Sequence, residues 1–245
     1  MGTDKKAVID SSTVLEIVKF NKGTKKYNPS KKEFYVDDKM SKSQLVKNIA
    51  ISIQYFTGLR MNEIAKLSFS QLELLSKKKS IQVVLSKLKK RVIREISIKP
   101  THNDGKKLYR ELLRMLKSFL SLKLDFLVVS KNMNSKSSII KKKNGKEYQT
   151  SFYPYIATFI AGVNLVLKNF VAKKESEDKT FLPSHIEKLT THGFRNNFIV
   201  LFYRIFGNDL IRIQKLIGHS SSEMTGRYVY KYLSNKDSGN LEFPI

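Results

Sequence analysis

The sequence predicts a mainly α-helical domain with a small antiparallel β-hairpin layer. Apolar residues recur at helical spacing in several long segments, as they do at Leu45, Ile49, Ile53 and Phe56. Residues 80–98 differ, because two short β-branched runs flank the basic turn SKLKKR, which is the pattern of a β-hairpin. No internal repeat and no long linker divide the 245 residues. One helical domain that carries a small hairpin is therefore the economical prediction.

Local signals place the element boundaries. Thr13 and Glu16 are spaced for a capping box, and Ser41 or Ser43 can cap the next helix. One face of that helix is predicted to be buried, and the helix ends near Gly58. The first predicted elements are a helix over 11–20, a short strand over 33–36, a helix ending at Thr57, a helix carrying Met61 to Leu67, and the hairpin over 80–98. A helix over 105–122 capped by Asp104 follows, and then an exposed hairpin or loop over 130–147 with a turn at Asn144-Gly145. The last elements are a helix over 153–172, a loop over 173–179, and helices over 189–206, 208–217 (capped by Asn208 or Asp209) and 221–232 (capped within Ser220 to Ser222).

Composition indicates a polyanionic partner. The chain has 46 Lys and Arg against 21 Asp and Glu, a formal net charge of +25, and this excess favours nucleic acid over a merely soluble basic surface. There is no cysteine, which excludes disulfides, cysteine–zinc sites and a thiol nucleophile. The longest uncharged run, residues 148–167, contains Gln149, Pro154 and Asn164, and it reads as a buried helix and not as a membrane span.

Five polar side chains form the candidate site. Arg60 lies in TGLRMNEI, His192 and Arg195 are three residues apart, and His219 follows a glycine nine residues before Tyr228. Two guanidinium groups and two imidazoles in one pocket could hold a phosphodiester while a tyrosine oxygen attacks its phosphorus. The sequence shows no carboxylate cluster and no H-E-x-x-H motif, so we expect neither a metal nor another cofactor.

Each of these residues taken alone has a structural interpretation. Arg60 could form a surface salt bridge to Glu63, an H-x-x-R pair often braces a helix, and His219 could cap one. An isolated tyrosine is more often a packing residue than a nucleophile. Tyr228, Tyr230 and Tyr232 all remain candidates on the residues alone.

The combination of TGLR-x-x-E, H-x-x-R and a GH followed nine residues later by tyrosine resembles the tyrosine recombinase (phage integrase) family. The resemblance implies a tyrosine recombinase catalytic-domain fold over residues 41–232. Residues 1–40 are then an N-terminal extension, and residues 233–245 are a tail that could be exchanged between protomers. Relatives usually carry a further helical DNA-binding domain before the catalytic one. We expect this chain to be either a short member or a fragment.

The resemblance also implies a role for each residue. Arg60, His192, Arg195 and His219 would hold the scissile phosphate, with Glu63 supporting its neighbours. The family spacing selects Tyr228 as nucleophile, with Tyr230 in reserve and Tyr232 disfavoured. A lysine in the hairpin turn would protonate the departing 5′-oxygen; Lys87 aligns best, and Lys89 and Lys90 stay open. Phe194 and Asn196 replace the Leu and His that often flank the second arginine in relatives, without touching the phosphate clamp.

The expected partner is double-stranded DNA, bound by a homotetramer, with no membrane involved. The resemblance implies site-specific recombination or integration through a 3′-phosphotyrosyl intermediate and a Holliday junction, without metal or ATP. Enzymatic alternatives are a type IB topoisomerase-like or telomere-resolving activity. A catalytically inert DNA-binding protein and, more weakly, a generic basic RNA-binding protein are the other hypotheses. The expected location is cytoplasmic or nucleoid-associated, or the nucleus or a viral factory in a eukaryotic host.

Overall fold

The computed structural model describes residues 9–22, 24–28, 33–37, 40–85, 93–122, 127, 140–143, 146–149, 156–177, 189–205, 209–219 and 221–234. Within these ranges the helices are α1 (Ser11–Lys22), α2 (Lys42–Thr57), α3 (Met61–Ala65), α4 (Phe69–Ser76), α5 (Asn103–Leu120), α6 (Ile156–Glu177), α7 (Thr191–Ile205), α8 (Leu210–Ile217) and α9 (Ser222–Ser234), and the strands are β1 (Thr24–Asn28), β2 (Glu33–Asp37), β3 (Ile81–Val84), β4 (Ile93–Ile96), β5 (Ile140–Lys143) and β6 (Lys146–Gln149). The predicted fold class, mainly α with a small antiparallel β-hairpin layer, is confirmed.

The described strands form three separate two-stranded antiparallel sheets, β1–β2, β3–β4 and β5–β6. In the predicted hairpin over 80–98, Ile81 pairs with Ile96 and Val84 with Ile93. Strand β1 was not predicted, because its sequence TKKYN is polar and resembles a turn. Its pairing with the next segment, β2, in which Asn28 lies opposite Glu33, is what makes it a strand. A polar and charged segment has no alternation of apolar residues that would predict one.

Helix α2 is the centre of the core. It packs against α1, α5, α6 and α7. The predicted buried face is confirmed at Leu45, Ile49 and Ile53, and burial extends beyond it, since Val46, Ala50 and Ile51 on other faces are also at most 1% exposed. A helix surrounded by neighbours loses its solvent face, so its polar positions Asn48 and Gln54 are buried as well and must find hydrogen-bond partners inside the protein.

Helix α1 belongs to the same core as α2. Val14, Ile17 and Val18 are fully buried. The oxygen Oδ1 of Asp10 accepts a hydrogen bond from the Thr13 backbone N–H at 2.8 Å, which caps the helix start. The predicted Thr13 capping box is therefore wrong, because Thr13 already lies inside the helix. The boundary at residue 40 between extension and catalytic domain stays a prediction.

A polar contact ties the start of the described chain to α7. The Asn197 side chain accepts from the Ile9 N–H at 2.6 Å and donates to the Ile9 carbonyl at 2.9 Å. Asn197 is 1% exposed. This pair of bonds satisfies both backbone groups of Ile9 and fixes the segment that leads into α1.

The capping predictions have mixed outcomes. Ser41 and Gln44 form a reciprocal capping box at the start of α2, with N···O distances of 2.8 and 3.2 Å. The predicted Asp104 cap is wrong: α5 begins at Asn103, two residues before the predicted start, and Asp104 pairs with Lys107 at 2.9 Å instead. Asp209 caps α8 as predicted, accepting from the Arg212 N–H at 2.9 Å.

Helix α6 extends beyond its predicted end. Its last turns include Lys173 to Glu177, which the sequence suggested as part of a loop. The Nζ of Lys174 lies 2.8 Å from Oε2 of Glu16 on α1, so a tertiary ion pair accompanies the extra helical turn. By length and composition α6 could cross a membrane, but a core helix meets the same criterion. One face of α6 packs into the core through Phe159, Val163 and Leu167, which are fully buried.

Candidate active site

Four of the predicted site residues line one cavity of about 260 Å³. They are Arg60 at the start of α3, His192 and Arg195 in the first turns of α7, and His219 after α8. Residues that are 159 positions apart in sequence, from 60 to 219, are thus brought to one place. The cavity is lined by two guanidinium groups and two imidazoles, which is a set of donors suited to an oxyanion.

The remaining predicted residues are described only in part. The backbone of Tyr228 belongs to α9, and its side chain lies outside the described residues. Tyr230, on the same helix, is 55% exposed. Lys87, Lys89 and Lys90 fall within residues 86–92, which also lie outside the described ranges.

Glu63 holds Arg60 in place. One carboxylate oxygen accepts from the Arg60 backbone N–H at 2.7 Å, and the other lies 3.1 Å from the Arg60 guanidinium Nη1. The Glu63 side chain is 1% exposed and that of Arg60 18%. A guanidinium that is tied to its own helix at one edge loses rotamer freedom, so it costs less entropy to place it against a ligand.

Arg195 connects the two loops that carry the other site residues. Its Nη1 donates to the carbonyl of Gly58, and its Nη2 donates to the carbonyl of Ile217 at 2.6 Å. Gly58 is two residues before Arg60, and Ile217 is two residues before His219. Arg195 is 4% exposed. Its guanidinium therefore fixes the spacing of both motifs while it lines the cavity.

Glycine is required at both of these loops. Gly58 and Gly218 end helices α2 and α8 with φ of +62° and +66°. A Cβ on Gly58 would lie 2.3 Å from the ring of Phe198, and one on Gly218 would lie 2.3 Å from Cδ1 of Leu85. Left-handed backbone and close packing both disfavour a side chain here, so each helix stops and turns its next residues toward the cavity.

Gln54 is a supporting residue that the sequence did not reveal. Its Nε2 donates to the carbonyl of Leu59 at 3.2 Å and to that of Thr191 at 2.9 Å. These carbonyls immediately precede Arg60 and His192. A glutamine within an apolar helical pattern was the available signal, because a buried amide must be hydrogen-bonded.

His219 is neutral at physiological pH. Burial lowers the pKa of His219 to about 4. The positive charges of Arg195 and Arg60, and of His192 when it is protonated, act in the same direction. The Nδ1 of His219 lies 3.1 Å from Oγ1 of Thr225, which is fully buried on α9. Thr225 was not predicted as part of the site, although it is three residues before Tyr228.

The β3–β4 hairpin is fixed to the site at both strands. Leu85, directly after β3, packs on Gly218, and Nη2 of Arg94 on β4 donates to the carbonyl of Thr57 at 2.7 Å. Burial lowers the pKa of Arg94 to about 10, and the charge of Glu63 opposes that shift. The two strands that flank Lys87 in sequence are thus held against both glycine loops.

His192 is the exposed member of the set. It lies in the first turn of α7, where backbone N–H groups and the helix dipole favour a bound anion. Thr191 N–H donates to Oδ1 of Asn164 at 2.9 Å, and Gly193 N–H donates to Oγ1 of Thr190 at 3.1 Å. Among the residues that the structure describes, no three His, Asp or Glu side chains converge as a metal site would require.

Comparison with known families identifies the class of protein. The sequence profile of the phage integrase family matches residues 32–234. The chain therefore belongs to the phage integrase family, and the resemblance inferred from the three motifs is confirmed. No curated protein matches the chain.

Solved structures of similar proteins include three recombinases. XerA recombinase is 18% identical, and the match covers 94% of this chain and 60% of XerA. XerH site-specific recombinase bound to difH substrate is 17% identical, with 95% of this chain and 52% of XerH covered. The Tn1549 transposon integrase in complex with transposon right end DNA is 19% identical, with 92% of this chain and 62% of the integrase covered, and the TM-score is 0.47 in all three comparisons. The chain thus spans about half to three fifths of the length of these proteins.

Proposed function

We propose that the protein is a site-specific DNA recombinase or integrase that cleaves and rejoins double-stranded DNA through a tyrosine nucleophile. The observation that carries the proposal is the single cavity lined by Arg60, His192, Arg195 and His219. Three separate sequence motifs predict these four residues, and family membership gives their combination one consistent purpose.

In the proposed cleavage step the phenol oxygen of Tyr228 attacks the phosphorus of a phosphodiester. A bond from tyrosine oxygen to phosphorus forms, and the bond from phosphorus to the 5′-oxygen breaks. Arg60 and Arg195 stabilise the charge that builds on the nonbridging oxygens, and neutral His219 adds a further donor. His192 takes the phenol proton, or it donates to the phosphate while solvent water takes the phenol proton, because an exposed imidazole at a helix start can do either.

Lys87 is proposed to give its proton to the departing 5′-oxygen. Leu85, two residues before it, packs against Gly218 beside His219. Of the three lysines in the turn, Lys87 is the nearest in sequence to this contact, which supports it over Lys89 and Lys90. The 5′-hydroxyl of a partner strand would then reverse the chemistry and regenerate a diester.

The covalent phosphotyrosine conserves the energy of the broken bond, so the proposed reaction needs no ATP. Two rounds of exchange through a Holliday junction require four active sites, which leads us to propose a homotetramer on DNA. The net charge of +25 supports a polyanionic partner of this kind.

The test uses a nicked suicide duplex. Its sequence comes from the DNA that flanks the gene, and it is chosen because the protein protects it in a footprinting experiment. Wild type, Tyr228→Phe and Tyr230→Phe are incubated with it in chelator without ATP, and covalent adducts are separated in denaturing gels. We expect adducts with wild type and with Tyr230→Phe, and none with Tyr228→Phe. Mass spectrometry of the adduct then identifies the modified tyrosine.

Three other outcomes would count against parts of the proposal. An adduct that survives in Tyr228→Phe and disappears in Tyr230→Phe would move the nucleophile to Tyr230. Wild-type protein that occupies the DNA and forms no adduct would favour the inert DNA-binding alternative. If wild type forms the adduct and also relaxes a supercoiled plasmid that carries the site, without exchanging strands, the topoisomerase-like alternative would be favoured.

A further inference from the structure

Thr225 contacts His219 and has no role in the proposed cleavage step. It lies in the first turns of α9, is 0% exposed, and its Oγ1 is 3.1 Å from Nδ1 of His219. The same helix carries Tyr228 one turn later. A single hydroxyl thus joins the cavity-lining His219 to the helix that carries Tyr228.

We propose that Thr225 is a positioning residue whose hydroxyl donates to Nδ1 of His219, so that the ring carries its proton on Nε2 and offers that N–H to the phosphate. The inference deepens the proposed function and rests on it for the identity of the phosphate. The hydrogen bond itself is a property of the protein alone.

The direction of the bond follows from the burial of the hydroxyl. A threonine hydroxyl has one hydrogen to donate, and a buried donor without an acceptor is costly. Among the described residues, the ring of His219 is the only partner that the Thr225 hydroxyl contacts. If Nδ1 carried the proton, the hydroxyl would accept from it, and its own hydrogen would then be buried without a partner among the residues that the structure describes. Donation to Nδ1 satisfies both groups.

The tautomer matters because the ring is neutral. A protonated imidazole donates from both nitrogens, whereas a neutral one donates from one nitrogen only. Arg60 and Arg195, which share the cavity with His219, disfavour a third positive charge there. A phosphodiester oxygen can only accept, so a bare Nε2 would repel it. Fixing the proton on Nε2 therefore gives His219 an N–H group that can donate a hydrogen bond to the phosphate.

The first test measures the tautomer without DNA. The protein is labelled with ¹⁵N-histidine, and two-bond proton–nitrogen correlations are recorded at pH 7; His219→Gln assigns the signals among the 4 histidines. We expect the Nε2–H tautomer in wild type and in Thr225→Ser, which keeps the hydroxyl. Thr225→Val, which replaces it with a methyl group, should populate both tautomers. A wild-type ring protonated on Nδ1, or on both nitrogens, would overturn the proposal.

The second test measures cleavage of the suicide duplex in a single turnover at saturating protein. Thr225→Val should lower the rate constant by about 10- to 100-fold, which approaches the cost of losing one donor to a developing charge. Its Kd for the duplex should stay within a few-fold of wild type, and Thr225→Ser should restore most of the rate. A Thr225→Val protein that cleaves as fast as wild type would overturn the proposed role.

The two measurements separate this inference from the proposed function. If wild type occupies DNA and never cleaves it, the proposed function fails, and the tautomer spectrum still decides the hydrogen bond. If wild type cleaves and Thr225→Ser and Thr225→Val are slowed equally, the hydroxyl is not what positions His219. Far-UV circular dichroism and urea unfolding of both variants show whether α9 has stayed folded.

Discussion

At the scale of the residue, the candidate site depends on side chains that hold other side chains. Glu63 is buried and contacts the backbone and the guanidinium of Arg60. Arg195 is 4% exposed and donates to two backbone carbonyls. Each guanidinium is therefore oriented before any ligand arrives, which lowers the entropy cost of binding one.

Glu63→Gln tests this orientation. The amide has one acceptor oxygen for two donors, and its NH₂ group would face a donor of Arg60. We expect the free energy of unfolding to fall by about 1.5–3 kcal/mol, the range for hydrogen bonds to charged groups. Urea unfolding of wild type and variant measures it.

Glu73→Gln is the matched control for that variant. Glu73 also pairs with a cation, Lys77, at 2.8 Å, but their side chains are 42% and 58% exposed. An exposed pair of this kind contributes at most about 1 kcal/mol. Equal effects of the two substitutions would show that burial of Glu63 adds nothing to its contact with Arg60.

At the scale of the element, two helix ends turn the chain into the cavity. Helices α2 and α8 both stop at a left-handed glycine, and both following loops supply a cavity residue. The two loops are joined through the carbonyls that Arg195 contacts. The geometry of the site thus depends on how two helices end as much as on where they pack.

Gly218→Ala should destabilise the protein. A left-handed alanine costs about 1–2 kcal/mol, and its Cβ would displace the side chain of Leu85, 2.3 Å away. Because the Leu85 Cδ1 can rotate, we expect a total loss of about 1–3 kcal/mol in the free energy of unfolding, measured in urea.

Gly226→Ala is the control from a neighbouring helix. Gly226 lies within α9, and a Cβ there would meet nothing nearer than Leu210 Cδ1 at 3.9 Å. Alanine is the better helix former, so we expect stability to rise by about 0.5–1 kcal/mol. Loss of stability in Gly226→Ala similar to that in Gly218→Ala would contradict the argument from backbone conformation.

At the scale of the whole molecule, the basic charge and the shared core are the dominant features. The charge of +25 belongs to a chain in which helices α1, α3, α5, α6 and α7 pack around α2. Phosphate contacts made by lysine and arginine release condensed counterions, which makes binding to nucleic acid depend on salt.

Binding to duplex DNA should therefore weaken steeply with salt. If the protein neutralises 6–10 phosphates, raising monovalent salt from 50 to 200 mM lowers the association constant by about 10³- to 10⁵-fold. Fluorescence anisotropy with a labelled duplex across this range gives the slope of log K against log salt. A slope near zero would contradict a backbone-dominated interface, and tighter binding to single-stranded RNA of equal length would favour the RNA-binding hypothesis.

The sequence predicted those parts of the fold that depend on near neighbours. The Ser41 capping box, the stop at Gly58, the 80–98 hairpin and the Asp209 cap each follow from residues a few positions apart, and the structure contains all of them. Local signals misplaced the starts of α1 and α5, whereas two other differences arise from tertiary contacts. The end of α6 and the burial of α2 are set by partners from other elements, and no local pattern encodes those partners.

For the candidate site, the sequence by itself determined the residue types and the family, because the motifs with Arg60, Arg195 and His219 have specific internal spacings. Only the tertiary structure decided what supports them. Gln54 and Arg94 donate to backbone carbonyls that lie far away in sequence, and Thr225 contacts the ring of the nearby His219. In the sequence, all three look like ordinary helix or strand residues. Buried polar groups must find partners wherever packing supplies them, and that choice is made by the assembled core and not by the local chain.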